Sequence, residues 1–273
     1  MGLMLLLQAV MFGGSSPEDL SKLLLHSSAT TNLMEETKEH RSKIGNEVVD
    51  KKPEALPKEP IVIQELTEKT KKLKHGGLWN HLKCDEIYSS ERPIHPLEAW
   101  IHARVVYRQI VGNDQSSIGT EEDDNVPHGF VVAHEAKQSP PKGRGIFAAQ
   151  DIKKGELIWS TKKTARFADG DSFRKFILSL DRHFACDALE WSYVQKLENG
   201  ELRISTDLDE GALCNDNDEE NDANKGCDKA AAKNHEGGCT NNYFALRDIK
   251  AGDEFVCSYG SFVVGNGWKK FTL

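Results

Sequence analysis

The chain has 273 residues, a formal net charge of −8, 38% hydrophobic and 29% charged residues. That length holds one sizeable domain plus extensions, and the modest apolar share places part of the chain outside any core. The negative charge argues against direct nucleic-acid binding and against broad affinity for anionic membranes. A basic protein or peptide of unknown identity is the partner it favours electrostatically.

In chain order, residues 1–77 read as an apolar amino-terminal segment followed by a charged, disordered linker. Gly2 to Phe12 is an apolar run of signal-peptide length, with no basic residue at its start and too short to span a bilayer. No transmembrane span is expected. The chain is therefore either soluble and intracellular, nuclear or cytoplasmic, or organelle-targeted through residues 1–16. From Glu35 to His75, Lys, Glu and Thr dominate around Pro53, Pro57 and Pro60, as in a solvated linker. Residues 78–125 read as a helical flanking segment. Its main helix is expected from Pro96 to Val111, with proline in the first turn and apolar residues at helical spacing. Acidic residues from Asp114 to Asn125 mark the boundary loop before a domain at 126–273.

Within that domain, Phe130–His134 reads as a strand, and Ser172 as the cap of a helix burying Phe173, Phe176, Ile177 and Leu180. Glu198-Asn199-Gly200 carries the Asn-Gly signal of a hairpin turn. Two segments nearly repeat each other: Phe147-Ala-Ala-Gln-Asp-Ile-Lys-Lys-Gly-Glu-Leu-Ile158 and Phe244-Ala-Leu-Arg-Asp-Ile-Lys-Ala-Gly-Asp-Glu-Phe255. Each reads as strand, turn and strand, a hairpin-like unit. The fold class expected is mainly β with inserted helices (α+β). The six cysteines lack a close Cys-x-x-Cys pair, which reads as buried or loop thiols in a reduced compartment, with no metal site.

Three signals could carry chemistry. Lys142-Gly-Arg-Gly-Ile-Phe147 sets two glycines one residue apart, which lets backbone approach a ligand closely. Asp207 to Asp222 holds eight carboxylates and no Lys or Arg, yet Asn221 and Cys227 occupy the positions where an EF-hand needs Gly and Glu, so a solvated acidic loop is expected. Val256-Cys-Ser-Tyr259-Gly260 ends a strand on a tyrosine just after the second repeat.

The order of these motifs, from about His128 to the end of the chain, closely resembles a SET domain. The resemblance implies a β-clip fold of small sheets with a carboxyl-terminal pseudoknot, and S-adenosyl-L-methionine as cofactor. It assigns the cofactor-lining role to Lys142, Gly143, Arg144, Gly145, Ile146 and Phe147, largely through backbone. Asn215 and Asp216 fall on the family's Asn-His pair and Asn221 on its second asparagine. Tyr259 falls on the catalytic tyrosine, and Trp268 is the candidate neighbour of the adenine. No Cys-rich post-SET tail is expected. Asp216 departs from the family pattern: a carboxylate only accepts hydrogen bonds, whereas imidazole also donates and stacks.

The implied activity is methyl transfer from S-adenosylmethionine to a lysine of a protein substrate. The alternative is a SET-fold module, weak or inactive in catalysis, that binds a basic peptide or protein. The physical requirement on the enzyme is a neutral amine, since free lysine has a pKa of about 10.4 and must be desolvated to react.

Overall fold

The computed structural model describes residues 61–120, 128–217 and 222–273. The apolar run at 1–16, most of the charged linker and Asn221 lie outside the described residues. Among the described residues, no helix is long and apolar enough to cross a membrane.

Helices α1 (His75–Leu82), α2 (Cys84–Tyr88) and α3 (Leu97–Val111) form the flank, and Pro96 is the N-cap of α3. Trp100, Ala103, Val106 and Tyr107 recur at helical spacing and are buried. They share one core with α4 (Gly170–Ser179) and α5 (Arg182–Trp191), through Phe173, Phe176, Ile177, Phe184 and Leu189. The apolar stripe of α4 is thus buried as its spacing demands. Its cap differs from expectation: Asp169 accepts the Ser172 backbone N–H at 2.7 Å, so Ser172 sits inside the first turn. Aspartate meets the third helical N–H from the capping position, and Ser172 adds its own hydroxyl bond to Asp169 at 2.9 Å.

The strands build small sheets. β1 (His134–Ser139) pairs antiparallel with β2 (Gly143–Ala148). β3 (Leu157–Ser160), β9 (Asn242–Ala245) and β8 (Lys225–Gly226) form a second sheet in that order; β4 (Thr164–Phe167), β6 (Leu202–Asp207) and β5 (Tyr193–Lys196) form a third. The β5–β6 turn falls at Asn199-Gly200, with Gly200 at φ +85° as that turn requires. β7 (Asn215–Asp216) runs parallel to β10 (Val256–Cys257). The strand expected at Phe130–His134 begins later, at His134; Phe130 itself makes only a bridge to Trp159.

The two near-repeats do not fold as separate hairpins. They interlock. Ile152 and Ile249 exchange both backbone hydrogen bonds at 2.9 Å. Gly155 N–H donates to Ala245 O at 2.8 Å, and its counterpart Gly252 N–H donates to Ala148 O at 2.7 Å. Phe147 bridges Glu254, and Leu157 pairs with Phe244. The side chains follow the same symmetry: Lys153 meets Asp248 at 2.7 Å and Lys250 meets Asp151 at 2.8 Å. Each first arm therefore pairs with the second arm of the other copy. Identical donor and acceptor spacing in the two segments allows the exchange, because a two-fold contact satisfies both copies at once.

The flank is fastened to this β core by charge. Arg144, on β2 and 4% exposed, donates to both oxygens of Asp187 on α5, at 2.7 and 2.8 Å. His95 approaches the same carboxylate at 2.6 Å and Arg92 at 3.2 Å. Burial opposes ionisation of Asp187, but the hydrogen bonds from His95 and Arg144 prevail and hold its pKa well below the usual carboxylate range.

The reading of six free thiols is corrected. Cys84–Cys186, Cys214–Cys257 and Cys227–Cys239 are disulfides, with Cα separations of 5.4, 6.3 and 5.1 Å. Partners lying 102, 43 and 12 residues apart leave no local spacing signal in the sequence. Alkylation of the unreduced protein should therefore label none of the six cysteines, and paired Cys84→Ser and Cys186→Ser replacement should lower the unfolding free energy by about 2–5 kcal/mol. Asp187→Asn should cost about 3–5 kcal/mol at neutral pH, because Arg144 loses its buried counter-charge. Asp187 has a depressed native pKa, so its contribution is full above the unfolded value of about 3.9 and fades as pH falls below it. Denaturation curves of the two proteins should accordingly converge on acidification.

Candidate functional site

A cavity of about 340 Å³ opens between β2, β5, β6, β7 and the carboxyl-terminal segment. Lys142, Arg144, Asn215, Tyr259 and Trp268 all line it. The sequence placed these five in one site from positions spread over more than a hundred residues. Ile146 is buried in the β core and the Phe147 ring is covered by Lys137 Nζ at 4.2 Å, so neither side chain reaches the cavity.

The two glycines of this segment have definable roles within the fold. A Cβ on Gly145 would lie 2.3 Å from Glu254 Oε1, so Gly145 exists to admit that carboxylate. Glu254 in turn accepts from Ser139 Oγ at 2.9 Å and from Asn215 Nδ2 at 2.6 Å. Asn215 Nδ2 also donates to Arg144 O at 2.8 Å. Both protons of its amide are thereby spent, and Oδ1 is left as an acceptor among the described residues. Gly143, at φ +94°, turns the chain from Lys142 into β2, which an L side chain there would strain.

Asp216 has a defined task. Its Oδ1 accepts the Tyr259 backbone N–H at 2.8 Å, while its carbonyl accepts from Lys142 Nζ at 3.1 Å. The acceptor-only chemistry of a carboxylate suits this partner, and it joins the asparagine loop to the tyrosine. A further asparagine, Asn224, fastens the segment leading into β10. Its Oδ1 accepts from Val256 N–H at 2.9 Å and its Nδ2 donates to Glu254 O at 2.7 Å. Sequence reading passed over Asn224 because its partners, Glu254 and Val256, lie 30 and 32 residues away.

Tyr259 is 41% exposed, and its hydroxyl donates to Cys214 O at 2.8 Å. Burial first, then the nearby carboxylates Asp216, Glu190 and Asp207, push its pKa up to about 12. The phenol therefore stays protonated at neutral pH. With that proton committed to Cys214, its lone pairs remain to accept from a donor.

Beyond Tyr259 the cavity becomes aromatic. Phe262 lies 5.8 Å from Tyr259, 5.0 Å from Tyr193 and 6.2 Å from Tyr243, measured between ring centroids. Trp159, Asp207 and Lys225 complete this end. Two of the aspartates expected in a solvated loop are instead structural: Asp207 accepts Thr164 Oγ1 at 2.6 Å, and Asp209, fully buried, accepts Gly129 N–H at 2.5 Å and Trp159 Nε1 at 3.1 Å. Nothing local in the sequence marked Tyr193, Trp159, Tyr243 or Lys225 as site residues.

The opposite end suits an adenosyl amino acid in its chemistry. Trp268 and Trp191 offer ring surface, Asn215 Oδ1 offers an acceptor for an ammonium, and the volume falls at the lower end of small-molecule sites. Trp268 itself packs between His75 at 4.7 Å and Phe173 at 5.7 Å. Among the described residues no group of three or more His, Cys, Asp or Glu could hold a metal ion.

Comparison with known proteins follows this geometry. The family model described as SET domain matches residues 143–260. No curated protein matches the chain. Among solved structures, Chaetomium thermophilum Polycomb Repressive Complex 2 bound to GSK126 is 23% identical over 54% of this chain, with a TM-score of 0.33. The same complex in an autoinhibited conformation bound to S-adenosylmethionine is 20% identical over 61%, with a TM-score of 0.34. The matches span 18% and 19% of those two chains. SET8 from Cryptosporidium is 14% identical, with 71% of this chain and 98% of that chain covered, and a TM-score of 0.34. The family match covers β2 with its glycines, the asparagine loop, both near-repeats and Tyr259, and on that ground the segment from Gly143 to Gly260 is a SET domain.

Proposed function

We propose that the chain transfers a methyl group from S-adenosylmethionine to a lysine side chain of a protein substrate. The observation that carries this reading is Tyr259, held in the wall of the cavity by Cys214 O and Asp216. S-adenosylmethionine would supply an electrophilic methyl on a sulfonium. Lys142, Arg144, Asn215 and Trp268 would hold it, with backbone of Gly143 and Gly145 shaping the wall.

The aromatic end is suited to an alkyl amine. Tyr193, Tyr243 and Phe262 would strip water from the lysine stem, which lowers the amine pKa and favours its neutral, nucleophilic form. The free lone pairs of the Tyr259 oxygen would accept an amine N–H and fix the nitrogen in direction. The net charge of −8 on the whole chain favours a basic peptide as the substrate class. The parallel run of β7 beside β10, with Asn224 pinning Val256, supports a threaded carboxyl-terminal arrangement of the pseudoknot kind. Three disulfides favour an oxidising compartment over the reduced one expected from cysteine spacing.

A catalytically silent module that binds a basic peptide remains the second reading, favoured by Asp216 standing where the family has histidine. Calorimetry with S-adenosylmethionine and methyl transfer to a panel of basic peptides separate the two. Binding followed by transfer is expected; binding without transfer selects the module. Tyr259→Phe should lower turnover about a hundredfold while leaving the dissociation constant for S-adenosylmethionine within about twofold. Asp216→Ala should cost about 1 kcal/mol of stability by orphaning the Tyr259 N–H. Asp216→Asn, which keeps an acceptor oxygen, should restore most of that loss in chemical denaturation.

A further inference from the structure

Lys225 is the least expected member of the cavity wall. It lies on β8 and is only 2% exposed. Buried lysines ordinarily sit in contact with a carboxylate. Here Nζ makes no hydrogen bond or ion pair among the described residues. It faces ring surfaces instead, 4.7 Å from the centroid of Trp159, 5.2 Å from Phe130 and 5.6 Å from Tyr243. All three fall within the roughly 6 Å reach of a cation–π contact. Asp207 and Asp209 supply negative potential from farther off. The result is an aromatic enclosure for an alkylammonium, filled by the chain's own side chain, in the wall of the cavity that holds Tyr259.

We infer that Lys225 is itself a methyl acceptor, modified within its own chain. The inference rests on the methyl-transfer reading above and names an acceptor for the same cavity. The lone pair of neutral Nζ forms the new C–N bond, the C–S bond of the sulfonium breaks with its electrons remaining on sulfur, and the resulting ammonium yields a proton to water before any further transfer. Two features of the surroundings suit this step. Burial pushes the Lys225 amine down from its ordinary value, against the opposing pull of Asp207 and Asp209, so the neutral form is more accessible than in free lysine. Because Nζ makes no hydrogen bond among the described residues, replacing N–H by N–CH₃ forfeits none there, and the three ring faces hold a methylated ammonium by the same attraction.

The full chain, incubated with S-adenosylmethionine and no peptide, should gain one to three methyl masses that peptide mapping assigns to Lys225. Lys225→Arg should remove the gain, and Tyr259→Phe should slow it. Methylation of basic peptides by a chain whose Lys225 stays unmodified would overturn the inference and leave the proposed activity standing; absence of both would overturn the proposed activity along with it. A donor-free arm reads the enclosure alone. Lys225→Ala should show a saturable rise in melting temperature with n-butylammonium, the excised side chain, and the unaltered protein should show none. A flat response from the folded variant would overturn the alkylammonium enclosure, and should that variant not fold, the mapping on the unaltered chain decides the matter.

Discussion

The reciprocal pairing of the two near-repeats is the constraint on which the remaining architecture depends. Ile152 and Ile249 close the centre of the contact, and the lysine–aspartate pairs at its periphery repeat with the same offset. The peripheral ion pairs are exposed and contribute little energy. The backbone bonds matter more, because they fix which strand ends meet. Once Phe147 faces Glu254, the Glu254 carboxylate lies against Gly145, and Asn215 donates to that carboxylate and to Arg144 O. The site is thus a by-product of how the two segments embrace.

A second constraint couples this β core to the helical flank. Asp187 gathers Arg144, His95 and Arg92 into one buried cluster, and Tyr88 adds a hydroxyl bond to it at 3.0 Å. An isolated buried carboxylate is costly, and one shared among four cationic or hydrogen-bonding groups is tolerated because each oxygen is satisfied. Arg144 therefore serves the fold with its guanidinium and the site with its carbonyl. The Cys84–Cys186 link lies one residue from Asp187 and ties the same helices covalently.

The site combines two environments that would conflict if they were mixed. Asn215 with the indoles of Trp191 and Trp268, and the closely spaced rings of Tyr193, Tyr243 and Phe262, line one cavity together with Tyr259. Asp216 illustrates how a departure from a family pattern can be absorbed. A carboxylate cannot stack or donate as imidazole does, yet its Oδ1 accepts the Tyr259 N–H. Lys225 marks the opposite case: an added cation that the local sequence does nothing to announce.

Much was legible in the sequence where the signal is local. The α3 helix, the α4 stripe and the Asn-Gly turn follow from periodicity and from backbone preference, which neighbouring residues decide. Ordered motifs with family-specific spacing placed Asn215, Tyr259 and Trp268 in one cavity. What depends on distant partners was hidden. Hairpin-like segments turned out to exchange arms, scattered cysteines to pair, and an aspartate in an acidic stretch to anchor Trp159 and Gly129. Strand propensity does not specify a partner, a thiol carries no mark of its mate, and the cost or benefit of burying a charge exists only once the surrounding groups are assembled. The sequence by itself therefore determined the family of the domain and named its candidate site residues. Tertiary structure decided that Glu254, Asp187 and Lys225 shape that site, because hydrogen-bond geometry and desolvation are properties of the packed molecule.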